Sequence, residues 1–312
     1  MGGLGDVIDS LTSAVAGASF GWLALGVLLH LGNQVVRGRG WYAILRSACS
    51  DPALRRRDVV GSWVAGAGAG GVVSARGGDA VRVLLLKRGL PETRSSVVTG
   101  TLVAEAAGDA IVGIAVMALA IALGSAPAFG FPGIETALWA GGALALLAIA
   151  VRHGLRSPAR ATRVRAVAAG IGRGCAPLTR PGTFARLVLP WQLGSRLLRA
   201  GAIASFLAAF HLPAGVAAVL LVMLAQSGGR LLPLAPFSAA AAVAMLTAGF
   251  GPATGTTVAA GEVAAFMIGM STLLTLAGAA LSIGIICASA GPGALTGVWR
   301  AVRPRRALPA DS

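Results

Sequence analysis

The sequence predicts an all-α, polytopic integral membrane protein. Three observations carry that reading. First, the 312-residue chain is 56% hydrophobic, with a mean hydropathy of +0.80. Second, only 12% of its residues are charged, about half the share found in soluble domains. Third, the apolar residues fall in runs of roughly 20, the length of a bilayer-crossing helix. Inside lipid the backbone must satisfy its own hydrogen bonds, so helices are the economical solution.

The charge balance supports this. There are 26 Lys+Arg against 11 Asp+Glu, a net of +15. Nucleic acid is one partner for such a surplus, but the arginines collect in loops beside apolar runs, as the positive-inside rule expects. The sequence thus implies a membrane and no nucleic acid. Cys49, Cys175 and Cys287 are far apart, as are His30, His153 and His211. Neither set has the spacing of a disulfide framework or a metal site, and no cofactor is expected. The N-terminus carries Asp6 and Asp9 without a basic n-region, so its first apolar stretch reads as a retained span.

The first span is expected over 18–36, ending at Arg37 and Arg39 with Trp41 and Tyr42 as interfacial anchors. The segment 59–86 is apolar and Gly-rich, then broken by Arg76-Gly77-Gly78-Asp79. Positive charge at both of its ends predicts a re-entrant hairpin. Gly66, Gly68 and Gly71 fit a GxGxxG pattern, but in an apolar segment they read as close helix packing. A span over 96–123 follows, and a linking helix over 135–151 returns inside. The loop 152–186 carries eight arginines and no acid, the strongest cytoplasmic marker in the chain.

The region 187–210 is the next span, with Arg196 and Arg199 snorkelling to headgroups. A second broken segment, 214–250, is interrupted by Gly228-Gly229-Arg230, Pro233 and Pro236. A last helix over 258–288 leads to a basic tail, 289–312. The whole chain, 1–312, then reads as a single membrane domain built from two inverted repeats, 18–123 and 187–288. Each contains a re-entrant or broken helical hairpin, the arrangement that places a substrate site near the midplane. The N-terminus is expected outside and the C-terminus in the cytoplasm.

Three constellations could carry chemistry. Arg76, Asp79 and Arg82 share a helix face at a spacing of three. They either grip a phosphate-bearing headgroup or neutralise one another. Glu105 and Asp109 lie four apart near mid-bilayer. They either pass protons or hold a cation, or else form salt bridges with Arg76 or Arg82 that fix the hairpin against the helix. Arg230 sits at the second break, with Glu262 as its acidic partner, and either holds an anionic group or makes a structural pair. No nucleophile–base pair of an enzyme is visible, and the chain is expected not to be one.

The block Ser74-Ala75-Arg76-Gly77-Gly78-Asp79-Ala80-Val81-Arg82 resembles the P-x-R-x-G-E-x-x-R element of the lysylphosphatidylglycerol synthase membrane region, also called the flippase-like family. Asp79 stands where that family has Glu. Glu105 and Asp109 are similar to its E-R-x-x-D helix, with Ala106 in place of Arg. Leu232-Pro233-Leu234-Ala235-Pro236 resembles its proline-glycine element, with Val243 in place of Glu. The resemblance implies a bacterial plasma-membrane protein that binds or flips lipids, among them anionic phospholipids and polyprenyl-linked glycans. Some members add a soluble aminoacyltransferase domain, which is not expected within these 312 residues. Lipid transport is the leading reading. The alternative is a non-transporting scaffold for a lipid or glycan biosynthetic enzyme docked on the loop 152–186.

Overall fold

The computed structural model describes residues 16–49, 51–72, 75–90, 93–120, 158–228 and 235–290. These are mostly helical, with no strand among the described residues. Ten α-helices follow in order: α1 (Phe20–Ala48), α2 (Arg56–Val72), α3 (Ala75–Gly89), α4 (Ser95–Ala120), α5 (Pro158–Cys175), α6 (Pro181–Leu187), α7 (Leu189–Ala209), α8 (Val216–Gly228), α9 (Ala235–Thr254) and α10 (Ala260–Ala290). The linking helix expected over 135–151, the break at Arg230 and Pro233, and most of the basic tail lie outside the described residues.

The architecture follows from where each helix can bury its small and polar residues. Large apolar side chains point outward: Phe20, Leu28, Leu197, Val216, Ile114 and Leu276 are all more than 60% exposed. In water such a surface would aggregate; in lipid it is solvated. Two helices, Ser95–Val116 and Ala260–Ser289, are long and apolar enough to cross a bilayer unaided. The 29 residues of α1 reach about 43 Å, also enough to cross.

The most extensive interface joins α1 to α7. The two run antiparallel. Gly26 packs on Phe206, Gly32 on Leu198, Val36 on Gly194 and Gly40 on Trp191, so α1 numbers rise as α7 numbers fall. Glycines supply the close approach that membrane helices use in place of a hydrophobic drive. The backbone N–H of Ser19 donates to the carbonyl of Ala209 at 3.0 Å and ties off the pair.

The hairpin α2–α3 packs against one flank of α1, and α2 also lies along α10. The glycine run read as close packing does that work. A methyl on Gly66 would overlap Arg82 and come within 2.7 Å of the Gly78 carbonyl, and one on Gly68 would overlap the carbonyl of Gly278. Ser282 Oγ donates to the Ala65 carbonyl at 2.7 Å across the same contact. At 17 and 15 residues, α2 and α3 are each shorter than an ordinary span of about 20.

Two boundaries differ from the sequence expectation. The first helix does not end at Arg37 but continues to Ala48. Arg37 can stay inside it because carboxylates from α4 meet its charge. Of the stretch 152–186, expected as a loop, the described part from 158 onward is largely helical: α5, a 3-10 turn at Ala176–Thr179, and α6. α5 docks on α4 through glycines. A methyl on Gly174 would stand 2.6 Å from both Gly100 C and Thr101 N, and the Cys175 thiol donates to the Gly100 carbonyl at 3.4 Å. Gly174→Leu is expected to undock α5, seen as new tryptic cleavage at Arg165 or Arg173 in detergent-solubilised protein. An unchanged digest would show that the docking does not depend on this contact.

Candidate functional site

The interior is organised around a stripe on α1. His30, Asn33, Gln34 and Arg37 recur at i, i+3, i+4 and i+7, the repeat of one helix face. A matching stripe lies on α7: Gln192, Ser195, Arg196 and Arg199. Because α1 and α7 are neighbours, these polar residues share the interior of an otherwise apolar bundle.

Arg37 is the centre of a charge network. Its Nε and Nη2 donate to Glu105 Oε1 at 3.0 and 2.6 Å, and Nη2 lies 3.8 Å from Asp109 Oδ2. Asp109 Oδ1 accepts from Arg196 Nη2 at 2.8 Å, which also reaches the Asp109 backbone carbonyl at 2.6 Å. Side-chain exposure is 17% for Arg37, 5% for Glu105 and 18% for Asp109. Charges this deep persist only when paired and hydrogen-bonded. The sequence offered Arg76 or Arg82 as partners of Glu105. The structure gives it Arg37 instead, and Arg196 pairs with Asp109 rather than extending to headgroups.

The hairpin joins the network through an aromatic bridge. Trp63 of α2 is buried, with the Arg82 guanidinium 3.9 Å from its ring centroid and that of Arg37 5.3 Å away. Both distances are within cation–π range. Arg82 Nη1 donates to Asp79 Oδ1 at 2.7 Å. The Trp63 indole N–H reaches Gln34 Oε1 at 3.3 Å, and Trp41, 5.7 Å from Trp63, donates to Thr101 Oγ1 at 3.0 Å. So Asp79 and Arg82 come together, with Arg82 close to Arg37. Arg76 lies in the first turn of α3, while Arg230 lies outside the described residues. Glu262 is exposed and caps α10, its Oε2 accepting from the Ala259 N–H at 3.3 Å.

Beside this network lies a cavity of about 620 Å³, within the size range of small-molecule sites. One wall is polar: Arg37, His30 and Gln34 from α1, Arg199 from α7, Gln226 from α8 and Ser271 from α10. The other is apolar, with Phe206, Met267, Ile268 and Leu274. Two arginines line it, and the described lining residues include no carboxylate. Arg199 Nη2 donates to Gln226 Oε1 at 2.8 Å. A second, open cleft runs between α3 and α4, with Asp79 and Lys87 along it and apolar residues such as Val83, Leu84 and Leu102 between them.

The sequence reading missed Arg37, His30, Asn33, Gln34 and Arg199 as site residues. The signal was present in the seven-residue spacing of each stripe. It was obscured because an arginine after an apolar run reads as the end of a span.

A lipid-facing apolar exterior around a buried, charge-paired interior defines a multi-pass helical membrane protein with a polar central site. The chain belongs to the lysylphosphatidylglycerol synthase TM region family, whose model matches residues 6–304. The match is to the membrane region of that family alone. No curated protein and no solved structure gives a significant match.

Proposed function

We propose that this protein binds an anionic lipid, phosphorylated or polyprenyl-linked, with its headgroup near the bilayer midplane, and carries it across a bacterial plasma membrane. The observation that supports this most is the amphiphilic cavity. Guanidinium, amide and hydroxyl groups on one wall suit a phosphate, and the Phe206 and Leu274 side suits a hydrocarbon chain. Membership in a lipid-related membrane family agrees with it.

In this reading Arg76, Arg82 and Arg230 guide the headgroup between the two hairpins. Asp79 balances Arg82, while Glu105 and Asp109, paired with Arg37 and Arg196, and Glu262 pass protons. The hairpins α2–α3 and α8–α9 enter from opposite faces as re-entrant elements. No step requires a nucleophile, and the protein acts as a carrier rather than an enzyme.

The test is twofold. Mass spectrometry of lipids retained after gentle solubilisation should find anionic lipid enriched over the bulk membrane. In proteoliposomes, Arg76→Gln or Arg230→Gln should abolish movement of a fluorescent phosphatidylglycerol while expression stays intact. Retained lipid that mirrors the bulk composition, together with no transport above empty vesicles, would reject the function. Transport by the native protein that neither substitution alters would remove those two arginines from it.

A further inference from the structure

The cavity wall holds one side chain that the bundle leaves unfinished. Asn33 is 5% exposed and lines the cavity, yet its Oδ1 is buried with no hydrogen-bond partner. Other buried polar groups among the described residues are provided for. Ser62, Thr101, Ser195 and Ser205 donate to backbone carbonyls of their own helices, and Ser282 donates to Ala65 across an interface. The adjacent Gln34 is engaged as well, its Oε1 accepting from Trp63 and its Nε2 donating to His30 Nε2, both at 3.3 Å. Gln192 Oε1 is likewise without a partner, but Gln192 does not line the cavity and its Nε2 holds the Glu105 carbonyl. Burying an amide oxygen without a donor is costly. Such an atom in a native interior calls for a partner from outside the fold.

The chemistry of that partner is set by the surroundings. Asn33 lies four residues before Arg37 on one face of α1, so the two side chains are neighbours. Arg37 bonds Glu105 through Nε and Nη2, which leaves Nη1, and it lines the cavity too. Among headgroup donors the choices for Oδ1 are an ammonium and a hydroxyl. An ammonium would sit beside the Arg37 cation in a cavity whose described lining has no carboxylate, and like charges in a dry interior repel strongly. A hydroxyl carries no charge and suits an amide from either end, because it both donates and accepts.

We infer that Asn33 is the specificity-determining residue of the cavity: its amide binds a hydroxyl of the lipid headgroup while the neighbouring phosphate lies against Arg37. The inference rests on the lipid-binding reading and deepens it, from an anionic headgroup to one that carries a hydroxyl, whether of a glycerol or of a sugar. Discrimination follows from desolvation. A headgroup without the hydroxyl still meets Arg37 but seals Asn33 Oδ1 from water and from any donor. Sites built to bond a hydroxyl reject such analogues for that reason.

The test compares phosphodiesters of equal charge. Dioctanoyl phosphatidylglycerol is set against dioctanoyl phosphatidylpropanol, which has the same skeleton without the headgroup hydroxyls, and against the octyl phosphodiester of glucose. Each is titrated into the full chain in phosphatidylcholine nanodiscs and followed by microscale thermophoresis. The native protein should bind phosphatidylglycerol about tenfold or more tightly than phosphatidylpropanol. Asn33→Leu, which nearly keeps the shape of the side chain, should bring that ratio close to one. A thermal unfolding scan checks that the variant folds. Should it fail to fold, Asn33→Ala takes its place, and the native preference is read without any substitution. Whichever of phosphatidylglycerol and the glucose diester loses more affinity in the variant names the source of the hydroxyl, glycerol or sugar. A purely structural role for Asn33 would weaken all ligands together and keep the native ratio. That result, or a native protein that binds phosphatidylglycerol and phosphatidylpropanol equally, overturns this inference alone. No binding of any of these ligands by the native protein overturns the lipid reading beneath it.

Discussion

Replacing Arg37 by Met is expected to cost about 3–5 kcal/mol of stability, the usual consequence of stripping a buried charge of its partner. Glu105 is the group left behind. Its carboxylate is 5% exposed and accepts both hydrogen bonds from Arg37 at a single oxygen. Arg196 already engages Asp109, so it does not stand ready as a substitute. The substitution also removes one of the two guanidinium groups beside Trp63, worth about a further 0.5–2 kcal/mol. The measurement is unfolding in mild detergent, followed by Trp fluorescence or loss of monodispersity on heating. A second substitution separates pairing from packing. Arg37→Met combined with Glu105→Met removes both charges and should recover most of the loss, because a buried pair replaced by apolar residues is often neutral. Arg37→Lys should fall between, since an ammonium keeps the charge but lacks the planar fork that reaches Glu105 and lies over Trp63. If Arg37→Met unfolds like the native protein, the network is hydrated and Glu105 does not depend on Arg37 for its charge.

How much of this was legible in the sequence depends on the range of the interaction. Apolar runs depend on neighbours in sequence, so the helices at 95–120, 189–209 and 260–290 sit close to the spans expected at 96–123, 187–210 and 258–288. The glycine pattern at Gly66 and Gly68 was legible as packing because its alternative, a nucleotide loop, needs a strand that an apolar membrane segment does not provide. Pairing was not legible. Glu105 chooses Arg37, 68 residues away, over the nearer Arg76 and Arg82, and nothing local to Glu105 encodes that choice. It follows from the α1–α4 contact, which brings the arginine of the α1 stripe onto the α4 acids. Arg37 was misread for a physical reason: charge after an apolar run marks an interface only when no partner lies within the bilayer. Arg196 was misread in the same way. The helicity of 158–187 was hidden by its arginines, which mark the cytoplasmic side without saying whether the chain there is folded.

The second large effect is expected at Gly68, where the two halves meet. A methyl there would overlap the Gly278 carbonyl oxygen and stand 2.6 Å from its carbon and 2.8 Å from Ser282 Cβ. Two of those three atoms are backbone, so no rotamer change relieves the clash and α2 must move away from α10. Overpacking of this kind costs about 1–3 kcal/mol and occasionally more. Separation also strains the buried hydrogen bond from Ser282 to Ala65, worth about 1 kcal/mol. Gly68→Ala should therefore destabilise by about 3 kcal/mol, and Gly68→Leu should abolish the folded monodisperse protein. The control is a glycine with open space on the partner helix α10: a methyl on Gly284 meets nothing within 4 Å. Gly284→Ala should leave stability unchanged or raise it by up to about 1 kcal/mol, because alanine favours the helix. Opposite outcomes at two glycines of equal helix propensity would place the effect in the α2–α10 contact rather than in the backbone. The contact also has a functional reach. The helix that carries Gly278 carries Met267 and Ser271 three and two turns earlier, in the cavity wall. A displaced α10 then moves the wall opposite Arg199, and Gly68→Ala should weaken anionic-lipid binding as well as stability, although Gly68 lines no part of the cavity. Native thermal stability in Gly68→Ala would mean that the two helices stand further apart than their glycines imply.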